Sequence, residues 1–126
     1  MAARSHRFLQ QAEAALIAAI EIYNKPDFRY REESFSILAL NAWELLLKAR
    51  LLHLSDNDPK SLYVYETRQS KKGRPTRKRY LRKNRAGNPQ SLSLGQTLVA
   101  LDKKDSCPPT PVRRNLDALV EIRDNS

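Results

Sequence analysis

At 126 residues, with 40% hydrophobic and 29% charged residues and a net charge of +9, the chain has the length and balance of one globular domain, and its charge favours polyanionic partners. Its longest apolar stretch, 37–54, is interrupted by Asn41, Glu44, Lys48 and Arg50, which excludes a membrane-spanning helix of about 20 nearly uncharged residues; the N-terminal pattern carries Glu13 and lacks the apolar run of a signal peptide. The lone cysteine, Cys107, excludes an internal disulfide, so a cytoplasmic protein is expected.

A first helix is predicted from Phe8, Ala12, Ala15, Leu16, Ala19, Ile20 and Tyr23, whose three-four spacing makes one buried stripe; Pro26 marks its end. A second, about Glu32 to Leu54, has apolar residues round most of its circumference and is expected to be central. Its narrow polar stripe is Asn41, Glu44 and Lys48, with Glu44 and Lys48 in the favourable order for an i,i+4 ion pair. The run Ser55 to Pro59 ends it. Leu62 to Thr67 and Lys78 to Arg82 then read as two strands of a hairpin whose tip holds Gly73 and Pro75, an insertion spanning about 61–86. Residues 86–89 form a turn. A third helix follows, about Ser91 to Asp102, with Leu92, Leu94, Leu98, Val99 and Leu101 on its apolar side. After the rigid linker 107–111, Thr110 is expected to N-cap a fourth helix with Pro111 at its first position. That helix faces the core with Val112, Leu116, Leu119, Val120 and Ile122. The expected fold is mainly α: a four-helix bundle over 1–126 with a basic β-hairpin between the second and third helices.

Several chemistries are excluded. His6, His53 and one cysteine make no zinc cluster, and Gly73, Gly87 and Gly95 fit no phosphate-binding loop; no nucleophile elbow occurs. No metal or cofactor is expected. The charge, by contrast, is concentrated. The segment Arg68 to Arg85 has ten Lys or Arg in 18 residues and no acid, so 23 less ten leaves 13 bases against 14 acids elsewhere, a remainder of −1. Such a block favours a polyanion, with Lys71, Lys72, Arg74, Arg77, Lys78, Arg79, Arg82, Lys83 and Arg85 as candidate phosphate contacts. Tyr63, Tyr65 and Tyr80 can stack on unpaired bases if they face outward, or pack the hairpin onto the helices. Within the block, Lys72-Gly73-Arg74-Pro75 resembles the Arg-Gly-Arg-Pro core of an AT-hook, which implies minor-groove DNA binding as the alternative.

The last helix carries Arg123, Asp124 and Asn125 in succession. An arginine followed by a small polar residue near the end of the last long helix resembles the Arg-polar-x-His signature of the HEPN superfamily (higher eukaryotes and prokaryotes nucleotide-binding). The text ALNAWELLLKARLL, Ala39 to Leu52, is similar to the long apolar second helix of such domains. Together ALNAWELLLKA, SLYVYE, KNRAGNP and NLDALVEIRDN resemble an uncharacterised bacterial family placed among HEPN-like proteins, over most of 34–126. The resemblance implies a metal-independent RNase of defence or toxin type. Arg123 would stabilise charge on the scissile phosphate, Asp124 would orient the pair, and a histidine would move the proton, in a site formed where two protomers' last helices meet. Asn41, Glu44 and Lys48 are possible accessory residues. The motif histidine falls past Ser126, so a truncated domain without RNase activity is expected. The favoured reading is an RNA-binding, dimeric HEPN-like domain; the others are a DNA-binding module and a pure dimerisation domain.

Overall fold

The computed structural model describes residues 3–27, 29–69 and 75–124, without the side chains of 66–69 and 75–79. It is mainly helical: α1 (Arg4–Tyr23), α2 (Arg31–Leu54), α3 (Leu94–Lys103) and α4 (Thr110–Asp124), with strands β1 (Tyr65–Gln69) and β2 (Pro75–Leu81) between α2 and α3.

Central α2 is about 36 Å long and packs against α1, α3, α4 and a 3-10 turn, Pro59–Leu62, as expected from apolar residues on most of its sides. The core consists of Leu40, Leu47, Leu51, Leu52, Leu62, Leu98, Leu101 and Leu116, with Trp43, Val112, Leu119 and Val120 packed against it. Among the described residues three polar side chains are buried, Ser36, Lys48 and Thr97, and the two hydroxyls bond back along their own helices. Ser36 Oγ donates to the Glu32 carbonyl at 2.7 Å, and Thr97 Oγ1 donates to the Ser93 carbonyl at 2.7 Å.

α1 lies antiparallel on α2. The Tyr23 and Phe35 rings meet at 5.1 Å at one end, and the Ser5 N–H donates to Asn57 Oδ1 at 2.9 Å at the other. The seam is narrower than the predicted stripe. Ala12 and Ala19 are buried and Phe8 and Ala15 half-buried, but Leu16, Ile20 and Tyr23 are 44%, 49% and 54% exposed. The reason is geometric: α1 packs chiefly on α2, so one neighbour covers a strip of small residues and leaves the flank uncovered.

Helix ends follow local chemistry. Asp56 and Asn57 both take left-handed backbone angles, φ 55° and 60°, which short polar side chains tolerate, and the Asn57 N–H returns to the Leu52 carbonyl at 2.7 Å. This turn ends α2 and brings Asn57 back to α1. For α3, Ser93 and Gln96 form a reciprocal capping box, which moves its start from the expected Ser91 to Leu94. Val99, expected on the apolar side, is 56% exposed, because Thr97, Leu98 and Leu101 define the buried face. The Pro109 carbonyl accepts from the Val112 and Arg113 N–H groups, so α4 begins one residue earlier than predicted and Thr110 lies inside it. Ile122 is 43% exposed rather than core-facing; the buried contact of α4 is Leu116.

Candidate nucleic-acid interface

β1 and β2 pair antiparallel, Tyr65 with Leu81, Glu66 with Tyr80 and Thr67 with Arg79, with an irregularity between Thr67 and Gln69. Pro75 belongs to β2 rather than to the tip. Lys71, Lys72, Gly73 and Arg74 lie outside the described residues, as do the side chains of Arg68, Arg77, Lys78 and Arg79.

The foot of the hairpin is fully described. Asp58 caps the 3-10 turn by accepting from the Lys60 N–H at 3.0 Å, and that turn buries Leu62. Beyond it three segments meet in a closed ring of backbone hydrogen bonds. The Val64 N–H donates to the Gln90 carbonyl at 2.8 Å, the Gln90 N–H to the Arg82 carbonyl at 2.7 Å, and the Arg82 N–H to the Val64 carbonyl at 2.9 Å. The Leu92 N–H donates to the Leu62 carbonyl at 2.8 Å, which joins the ring to the core. Each such bond contributes about 1 kcal/mol net, so together they fix where Arg82 and Lys83 leave the bundle.

The chain then turns tightly at Asn84 to Asn88. Asn84 Oδ1 accepts from the Ala86 and Asn88 N–H groups at 3.0 and 3.1 Å, and the Gly87 N–H donates to the Asn84 carbonyl at 3.0 Å. Gly87 has φ +81°, a conformation L side chains rarely adopt. Arg85 rides on this turn, and Arg82, Lys83 and Arg85 are all exposed. Three cations on a hydrogen-bonded frame can contact successive phosphates without first ordering the backbone. Of the tyrosines, Tyr63 and Tyr80 are half-buried, while Tyr65 is 37% exposed.

The other candidates lie elsewhere. Arg123 Nε donates to Asp124 Oδ1 at 3.2 Å, with side chains 44% and 60% exposed, on the last turn of α4; Asn125 is outside the described residues. Lys48 Nζ meets Glu44 Oε1 at 3.0 Å, the expected i,i+4 pair. The expected polar stripe is not uniform: Asn41 is exposed, Glu44 half-buried and Lys48 buried, because Lys48 lies among the packed faces of α2.

In the sequence His6 and His53 make no zinc cluster and do not occupy the Arg-polar-x-His motif; the structure places both on one cleft. The signal was present in the helical hairpin. Residue numbers in contact across α1 and α2 add to 58 for Tyr23 and Phe35, and those of His6 and His53 add to 59.

Among the described residues, no helix is long and apolar enough to cross a membrane. No curated protein and no solved structure matches the chain. A family model does: that of the domain of unknown function DUF3644 matches residues 7–126, and the chain belongs to that family.

Proposed function

We propose that the chain is an RNA-binding, HEPN-like helical domain that holds the phosphate backbone with its basic hairpin and the Asn84 to Asn88 turn at the hairpin's foot. One observation carries the reading: ten cations fall in 18 residues of a chain otherwise at −1, and Arg82, Lys83 and Arg85 project from a frame bonded to the core. Phosphate relieves the repulsion among such cations, and the counterions released drive binding. Tyr65 offers a partly exposed ring to an unpaired base, which favours single-stranded RNA. The test is competition between single-stranded RNA and AT-rich duplex DNA for the full chain, read by fluorescence anisotropy across salt concentrations. RNA is expected to compete better. Preference for the AT-rich duplex would move the interface to the AT-hook-like tip, and no salt-sensitive binding to either would remove it.

On the HEPN-like reading, Arg123 would steady charge on a scissile phosphate, with Asp124 holding the guanidinium. α4 carries no histidine to move the proton, so this chain alone is expected to leave RNA intact. Cleavage by a nuclease-free preparation that disappears in Arg123→Ala would overturn that expectation.

A second reading, self-association as a homodimer, is favoured by an apolar groove of about 430 Å³ on the α1–α2 face, lined by Leu9, Leu16, Trp43 and Leu46. Contiguous exposed apolar surface of this kind marks interaction sites.

A further inference from the structure

We infer that the cleft between the first turn of α1 and the last turns of α2 is a binding site for a phosphoryl anion, separate from the hairpin. Ser5, His6, Arg50 and His53 line it over Leu46 and Ala49. The chain has two histidines in all, and both stand here although they are far apart in sequence. The cleft holds about 290 Å³, at the lower end for small-molecule sites and suited to a compact ion.

Two imidazoles alone also suit a transition metal. Three features point instead to an anion. Arg50, a permanent cation, shares the wall; its Nε donates to Ser106 Oγ at 3.0 Å, which steadies the guanidinium while its terminal nitrogens remain donors. No carboxylate is among the described residues that line the cleft. The N-cap residue of α1, Ala3, has no side chain to cap with, and the first turn, where Arg4, Ser5 and His6 stand, holds no acid; Asn57 Oδ1 takes the Ser5 N–H, and the positive end of the helix faces the cleft without a carboxylate of its own. A cation entering here meets Arg50 and the positive helix end; an anion meets donors. The walls are held together by the Ser5–Asn57 hydrogen bond, which ties α1 to the turn that ends α2. The site stands whether or not the hairpin binds RNA.

Because the chain has only two histidines, the imidazole Cε1–H region of a ¹³C NMR spectrum of the full chain contains two signals. Inorganic phosphate, titrated at constant pH and ionic strength, should move both along one saturating curve with a midpoint near the millimolar range, about 1 mM. Arg50→Gln, at an exposed position, should keep the fold by circular dichroism and raise the midpoint by about tenfold. Linear drift without saturation, movement of one signal alone, or an unchanged midpoint in Arg50→Gln overturns the proposal. So does a tight response to zinc chloride with none to phosphate, which would make the site a metal site. A short RNA without terminal phosphates distinguishes the sources. Saturation below the phosphate midpoint assigns the nucleic-acid backbone, and a response to phosphate alone assigns a free phosphate or monoester; either supports the site.

Discussion

Gly87 is the residue at which backbone and function meet. Its φ of +81° admits glycine at no cost, and the space where a Cβ would stand is open, so substitution is penalised by conformation and not by collision. Gly87→Ala should therefore destabilise the chain by about 1 kcal/mol in urea unfolding, and Gly87→Asn by less, since asparagine tolerates the left-handed region. Equal losses would mean that sterics govern the turn. Lys48 allows a similar separation of causes. It is buried, while its partner Glu44 keeps a third of its side chain in water. Lys48→Met retains the stem and lets Glu44 solvate, so it should cost within about 1 kcal/mol, whereas Lys48→Ala loses the packing as well and should cost about 2 kcal/mol. If both cost the same, the ion pair and not the stem is what Lys48 contributes.

At the scale of elements, α1 exposes more large apolar side chains than any other described helix. One flank is sealed against α2 by alanines, and the other leaves Leu9 and Leu16, at 47% and 44% exposure, beside Leu46 at 37%. If that face seals a dimer, Leu16→Glu or Leu46→Glu should shift the chain to monomer in sedimentation velocity without unfolding it. A wild-type chain already monomeric at tens of micromolar would leave the face without a partner of its own kind. The helices themselves were legible: spacing, Pro26 and the run after Leu54 placed α1 and α2 within a few residues. Which apolar residues each helix buries was not, because a wide stripe looks the same whether one neighbour covers it or two. Leu16, Ile20, Val99 and Ile122 all read as core and all stand at the surface. The foot of the hairpin escaped for a different reason. Val64, Arg82 and Gln90 are joined by backbone groups, which leave no trace in side-chain pattern. The cleft holding His6 and His53 was within reach, since an antiparallel pair whose facing numbers add to about 58 sets which residues meet, but it required both helices to be placed first.

For the whole molecule, the charge distribution decides what an experiment on binding can reveal. A generally basic protein loses affinity in proportion to total charge, whereas here the excess lies in one segment and the remainder sits at −1. Binding should then respond to a few residues only. Each phosphate contact to a single strand contributes about 0.7 to the slope of log affinity against log salt, and about 0.9 for duplex DNA. Neutralising Arg82, Lys83 and Arg85 together should lower the slope by about 2 for single-stranded RNA and reduce affinity at every salt concentration. Neutralising Arg74, Arg77, Lys78 and Arg79 should lower it by about 3 if each meets a phosphate. Arg123→Ala, on the last turn of α4, should leave the slope unchanged unless α4 shares the surface. The two clusters therefore separate Arg74 and the β2 cations from the foot. A slope lost mainly with Arg74, Arg77, Lys78 and Arg79 assigns the contact to the paired strands and their connection. A slope lost mainly with Arg82, Lys83 and Arg85 describes a ligand held by the hydrogen-bonded foot, where the backbone is already fixed to the core.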